Sequence, residues 1–270
     1  MKRLGEQVRV LTEEAGGKWS VYIENLTDGG DFSLNKDDRH YAASIIKLPI
    51  LATVFRLADQ GSLRLSEPIM IEDEDLVGGA GVLQHLKNGS PYTLYDLAML
   101  MIIQSDNTAT NMLIERVGVG EIQKTMQAIG MDASSFYNKL MIVPAELEGS
   151  NMITAQDMAI FLKALAKGQM TSLYACDHMV QIMKKQQIHY MTSTLPSASS
   201  PFVGGQAAWE WAGKTGSVTR VRHDVGLFYG HGKTYLVVIL ASECDHVVSL
   251  PVIAKIGELV YDQMKGGSGA

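Results

Sequence analysis

The sequence predicts a mixed α/β (α+β) protein, with strands gathered at the two ends of the chain and helices filling the middle. Residues 18–25 alternate apolar and polar side chains, placing Trp19, Val21 and Ile23 on one face of a strand. Segments rich in Val, Leu, Tyr and Trp return only late in the chain. Between them, from Ser44 to Lys184, apolar residues recur at the three- and four-residue intervals of helices. Sequential elements tend to lie beside one another, so the terminal segments join in one mixed sheet and the middle is an inserted helical subdomain. The expected division is an α/β part from 1–43 and 206–265, an all-helical part from 44–205, and a flexible tail from 266–270.

Each element has its own signal. Leu4, Val8 and Leu11 fall on one face of a first helix. After strand 18–25, Thr27-Asp28-Gly29-Gly30 makes a turn and Phe32-Ser33-Leu34 returns as its hairpin partner. Tyr41-Ala42-Ala43 is extended. The pattern then turns helical at Ser44, through Ile46, Pro49, Ile50, Val54 and Leu57, and ends near Gly61. Thr93 and Asp96 suit the start of a helix over 93–103. Helices follow over 107–117, 121–129, 154–166 (capped by Thr154, with Asp157 three residues on) and 171–184. Strands are expected over 209–212, 218–229 and 233–242, with Gly230-His231-Gly232 as a hairpin turn, and a closing helix over 250–264.

Composition narrows the function classes. Of 270 residues 46% are hydrophobic and 19% charged, the balance of a soluble globule with a sizeable core. The formal net charge of −6, without a Lys/Arg stripe, argues against a nucleic-acid surface. The longest apolar run, Leu97 to Ile103, is far too short to span a bilayer. No apolar segment follows the early Lys2-Arg3 pair, so the expectation is a cytoplasmic protein or an exported one whose leader has been removed. Cys176 and Cys244 could form one disulfide; two reduced, buried thiols are expected instead. Each begins the tripeptide Cys-Asp-His, but Cys-x-His is not a usual zinc-ligand spacing, and no metal is expected.

Three short strings carry the chemistry: Ser44-Ile45-Ile46-Lys47, Ser105-Asp106-Asn107 and Lys214-Thr215-Gly216. Each alone is common. Together they supply a nucleophile, a nearby amine, a second hydroxyl, a side-chain amide and another ammonium. Those groups suffice to attack an amide or lactam carbonyl in a substrate that carries a carboxylate. Ser44 stands where an extended segment becomes helical, which suits a plain N-cap as well as a nucleophile. Lys47, nearly one turn on, shares a face with its hydroxyl, and a neutral amine there could deprotonate it. Ser105-Asp106-Asn107 joins two helical patterns, with Asp106 expected to cap the second. Arg220 and Arg222, two apart on an expected strand, share one face; they either clamp the substrate carboxylate or form a solvated face.

In this order the trio is the signature of serine β-lactamases and penicillin-binding proteins, and the chain resembles their class A branch. The match runs on through Thr108-Ala109-Thr110-Asn111. The spacings, 58 residues from Lys47 to Ser105 and 109 from Ser105 to Lys214, are close to those of class A enzymes. The resemblance implies a β-lactamase-like fold: an antiparallel sheet flanked by the terminal helices, an inserted all-α subdomain, and the active site in the cleft between them. It implies an acyl-enzyme on Ser44, with Lys47 as base, Ser105 passing a proton to the leaving nitrogen and Asn107 binding the substrate's side-chain amide. Lys214, Thr215, Gly216 and Ser217 would face the substrate carboxylate, and the N–H groups of Ser44 and Ser217 would form the oxyanion hole. The expected partner is a small molecule bearing a carboxylate, a β-lactam or an acyl-peptide or ester. The expected state is a monomer without a cofactor.

One part of the pattern is missing. Class A enzymes carry a loop glutamate, in a Glu-x-x-Leu-Asn context, that activates the deacylating water. The corresponding loop, 134–151, lacks that string. Counting back from the helix at Thr154 places the expected glutamate near Asn138; counting from Lys214 favours Glu146, either as base or as a solvated loop carboxylate. Slow deacylation is therefore expected. A D-alanyl carboxypeptidase or esterase-like relative is the alternative, and a non-catalytic binding module a further one.

Overall fold

The strand at residues 18–25 forms as its alternation demands, and it becomes one member of a five-stranded antiparallel sheet. A computed structural model describes residues 1–86, 89, 91–141, 149–200 and 202–266. Strands β1 (Lys18–Asn25), β2 (Asp31–Leu34), β7 (Trp209–Val218), β8 (Val221–Gly230) and β9 (Lys233–Ser242) are ordered β2-β1-β9-β8-β7. β9 lies centrally, paired with β1 through Val21↔Ile239 and with β8 through Val225↔Val238. Covered on both faces, it is buried from Tyr235 through Ala241, which is why it reads as a nearly unbroken apolar run.

Helices α1 (Lys2–Ala15) and α8 (His246–Lys265) cover one face of the sheet, packing Leu4, Val8, Ile253 and Val260 against Trp19, Val21 and Val237. The other face carries α2 (Lys47–Asp59), α3 (Leu94–Ile103), α4 (Asn107–Val117), α5 (Val119–Ile129), α6 (Ala155–Ala166) and α7 (Leu173–Lys184). α2 runs through the middle of this layer with every residue from Lys47 to Phe55 buried, so its sequence is apolar nearly all round. The caps expected at Thr93 and Thr154 are present, accepting from the N–H groups of Asp96 and Asp157.

The structure corrects the sequence expectation in five places. Of Tyr41-Ala42-Ala43 only Tyr41 is extended: Ala42 is right-handed at φ −66° and Ala43 left-handed at φ 44°, because the chain already turns there toward α2. Lys214-Thr215-Gly216 lies inside β7 rather than ahead of a strand. Gly213 and Gly216 weaken the strand signal, yet Gly213 is required here: a Cβ at that position would sit 2.0 Å from the indole Nε1 of Trp211, which lies across it. Arg220 is not on a strand but in the turn between β7 and β8, at φ 58°. α8 begins at His246, four residues before the expected start, because the Asp245 carboxylate accepts from the Val247 N–H; Pro251 lies inside the helix. Two small ladders were not foreseen, β3 (His40–Tyr41) with β6 (Met152–Ile153) and β4 (Pro68–Met70) with β5 (Pro91–Thr93). They are too short to show a period. The two cysteines are buried free thiols in the separate apolar clusters on opposite faces of the sheet.

Candidate active site

Ser44 belongs to a 3-10 turn, Ala43–Ile46, that runs straight into α2. It is half-buried, whereas Lys47 at the first position of α2 is completely buried. The Lys47 Nζ lies 2.6 Å from the Ser105 carbonyl, 3.0 Å from Ser105 Oγ and 2.9 Å from Asn107 Oδ1. From β7 the Lys214 Nζ reaches the same Ser105 Oγ at 3.0 Å and its neighbour's carbonyl, Thr215 O, at 2.8 Å. One hydroxyl thus stands between two buried amines.

Ser105 occupies the break between α3 and α4 with φ 55°, a left-handed backbone that a serine adopts only when its surroundings impose it. Asp106 supplies much of that imposition. Its carboxylate accepts from the Ala109 N–H at 3.0 Å, capping α4, and from the N–H groups of Val82 and Leu83 at 2.7 and 2.9 Å. The 77–83 loop is thereby folded over the break. The Asn107 side-chain nitrogen completes the clasp by donating to Gly78 O at 3.1 Å.

β7 forms the end of the sheet, so a ligand lying along its open edge meets side chains from both faces. Lys214 and Gly216 face the helical layer; Thr215 and Ser217 face the other side, Ser217 paired with Arg222. Gly216 lets the strand press on the Ser44 turn: a Cβ there would sit 3.0 Å from Ile45 Cγ1 and 3.3 Å from Ile45 N. Arg222 donates to Val218 O and Val221 O, both at 2.7 Å, which keeps its guanidinium beside β7. Arg220 turns away and donates to Glu243 O at 2.7 Å.

Burial, reinforced by the charge of Lys214, holds the Lys47 amine well below the ordinary lysine range, and Asp106 opposes that only in part. Burial lowers Lys214 to about 7, with Asp224 opposing the shift. Asp224, directly across from Thr215, is raised to about 7 by burial, although the N–H groups of Met191 and Tyr190 donate to it at 2.8 and 3.1 Å. Among the described residues no group of His, Cys, Asp and Glu is arranged to hold a metal ion.

Lys47, Ser105, Asn107 and Lys214 therefore meet in one hydrogen-bonded cluster, and Gly216 packs against the turn that carries Ser44. Thr215 and Ser217 lie on the same edge strand with Arg222 across from Ser217, and Arg220 stands apart. Glu146 lies outside the described residues. Asn138 is spent on structure: its side chain donates to Gly149 O at 2.6 Å and its N–H to Asn151 Oδ1 at 3.1 Å, clasping the base of the loop. Sequence reasoning missed His40, His223 and Asp224. The available signal was the string Arg222-His223-Asp224 inside an otherwise apolar strand.

Comparison with known proteins agrees with this geometry. The family model of the beta-lactamase enzyme family matches residues 3–264. A beta-lactamase of Rhodobacter capsulatus is 25% identical over 235 residues, covering 86% of this chain and 77% of that protein. The crystal structure of a beta-lactamase from Sphaerobacter thermophilus superposes with a TM-score of 0.87 at 31% identity, covering 97% of each chain. A mutant of PBP-A, solved as an acyl-enzyme complex with penicillin G, gives a TM-score of 0.84 at 27% identity over 98% of this chain and 97% of that one.

Proposed function

We propose, for a chain that belongs to the beta-lactamase enzyme family, that Ser44 opens the lactam amide and carries the acyl group. The observation that carries this reading is the placement of Ser105 Oγ 3.0 Å from both Lys214 Nζ and Lys47 Nζ, Lys47 itself lying one turn after Ser44. Burial and the charge of Lys214 hold the Lys47 proton affinity well below the ordinary lysine range, which favours the neutral amine that the reaction needs. It donates to Ser105 O and Asn107 Oδ1 and keeps a lone pair for a hydroxyl proton. Lys47 takes the Ser44 proton as Oγ attacks the carbonyl carbon. The N–H groups of Ser44 and Ser217 receive the oxyanion, each such donor contributing about 3 to 4 kcal/mol. Ser105 then hands its proton to the departing nitrogen and regains one from Lys47, with Lys214 donating to its oxygen throughout.

The substrate carboxylate lies against Lys214, Thr215, Ser217 and Arg222 at the open edge of β7, and Asn107 receives the acyl side-chain amide. Deacylation is the slow step. Asn138, where the family's glutamate is expected, has its amide committed to Gly149, so water over the ester lacks a general base there. That same residue favours a second reading, a penicillin-binding D-alanyl carboxypeptidase or esterase in which lactams acylate but leave slowly. Glu146 is the other candidate base.

Intact mass spectrometry over time, after mixing with a penicillin and a cephalosporin, tests the scheme. The expected record is a rapid burst to a single adduct that dominates at steady state, mapped by digestion to Ser44 and absent from Ser44→Ala. An adduct on another residue overturns the assignment. Fast turnover with no accumulated adduct overturns slow deacylation, and Glu146→Gln then shows whether that carboxylate is the base.

A further inference from the structure

The turn that carries Ser44 is strained. Ala43 has φ 44°, a left-handed conformation that costs a non-glycine residue about 1 kcal/mol or more and persists only where neighbours over-determine it. On its C-terminal side the turn is closed by the Ile45 N–H donating to Ala42 O at 3.0 Å, with Gly216 pressed against both groups. On its N-terminal side the Ala42 N–H donates to Asn151 O at 2.9 Å. Ahead of the turn the β3–β6 ladder holds His40 and Tyr41, and a side chain adds a further restraint: His223 Nε2 lies 2.9 Å from the Tyr41 carbonyl.

The ring is set for that one task. Both ring nitrogens lie near carbonyls, Nε2 2.9 Å from Tyr41 O and Nδ1 3.0 Å from Arg222 O. The Ala241 N–H, however, is directed at Nδ1 at 3.1 Å; that donor makes Nδ1 the acceptor and assigns the proton to Nε2. His223 is completely buried on β8, opposite Gly216. Its ring meets that of His40 edge-on, with centroids 5.9 Å apart and planes at 90°. His40 is fixed in turn: Ser20 Oγ donates to Asn35 O at 2.6 Å and so accepts from His40 Nε2 at 2.9 Å, leaving Nδ1 to accept from Ser242 Oγ at 2.9 Å. The register therefore places His223 directly behind Gly216 while its free N–H reaches the chain three residues before Ser44.

We propose that His223 is a positioning residue of the acylation reaction, its Nε2–H holding the Tyr41 carbonyl so that the strained Ala43–Ser44 turn keeps Ser44 aimed along β7. This rests on the reading of Ser44 as nucleophile. His223 touches no substrate; it acts through three residues of backbone. Displacing a reacting atom by a fraction of an ångström to an ångström lowers rates by on the order of tenfold to a hundredfold. The lysine and serine contacts around Ser105 do not involve His223.

Time-resolved acylation by a penicillin, with the limiting rate and half-saturation concentration determined separately, tests this on the full chain. His223→Leu removes the donor; His223→Gln restores an amide N–H of similar reach. The expected result for the leucine variant is an acylation rate lower by on the order of tenfold or more, with half-saturation nearly unchanged. The glutamine variant should recover most of the rate. A folded leucine variant that acylates as fast as wild type overturns the proposal, as does a glutamine variant that folds and recovers nothing. Where His223→Leu fails to fold, His223→Asn, whose amide is too short to reach Tyr41, carries the same two outcomes. Peptide mapping of the wild-type adduct separates the two ideas. An adduct on Ser44 with no effect of His223 sinks this proposal alone, and a wild type without a Ser44 adduct sinks both.

Discussion

Two buried polar clusters adjoin the turn that carries Ser44, and they treat protons in opposite ways. At its C-terminal end, Lys47 and Lys214 converge on one hydroxyl, Ser105 Oγ. At its N-terminal end, His40 and His223 are both held neutral, with each ring nitrogen matched to a donor or an acceptor. Burial depresses all four groups, so burial alone does not make a proton-transfer site. What separates the clusters is sharing. Two amines on one hydroxyl leave a proton that can move in either direction, while each imidazole has its own backbone or serine contact and nothing to gain from transfer. In the proposed scheme the first arrangement does chemistry, and the second holds backbone.

The largest effect expected from this contrast is at Lys47. Lys47→Ala should lower the acylation rate by about a hundred- to ten-thousandfold, the range general-base catalysis commonly supplies. Time-resolved adduct formation by mass spectrometry is the measurement. A variant that acylates at the wild-type rate would remove Lys47 as base and erase the distinction between the clusters.

The histidine cluster should show itself in stability instead. Burial, the neighbouring ring and Lys18 push His40 down to about 3, and burial, with a smaller contribution from Arg222, pushes His223 down to about 4. Both are neutral in the fold, while the unfolded chain takes up protons at its ordinary value of 6.5. The unfolded state thus binds more protons below 6.5. The stability tied to the pair is present in full above that pH and declines as the pH falls toward 4 and then 3. The loss is on the order of 3 kcal/mol for His223 and 5 kcal/mol for His40 by the bottom of that window. Urea midpoints measured from pH 7.5 down to 4 should fall, and less steeply in His223→Gln. A flat profile would show that the rings are not held neutral.

The smallest effect lies at the carboxylate subsite. Esterifying the substrate carboxylate should weaken acylation efficiency by on the order of tenfold, about 1.4 kcal/mol, because Lys214, Thr215, Ser217 and Arg222 then face a neutral group. Equal rates for acid and ester would mean that the β7 edge serves something else. The same comparison in Arg222→Gln should show a smaller penalty for the ester, since part of the recognition is already gone.

The sequence by itself determined the order of elements and the inventory of the site. Period and caps place the strand at 18–25 and the helices at 93–103, 107–117 and 154–166, because those signals are local and the backbone must satisfy them locally. Three strings name the two amines and the amide that meet around the Ser105 hydroxyl. Only the tertiary structure decided which of these groups share a proton, because that depends on contacts 58 and 109 residues apart in sequence. It alone put Lys214-Thr215-Gly216 inside an edge strand, where a crossing indole at Gly213 and the nearby Ser44 turn at Gly216 override the weak strand propensity of glycine. It also turned Arg220 away from the cleft and committed Asn138 to closing a loop. His40 and His223 carry no motif. Their role exists only because a sheet register and a folded-back segment bring a ring nitrogen to one carbonyl, and no local pattern encodes a meeting between residues 182 positions apart.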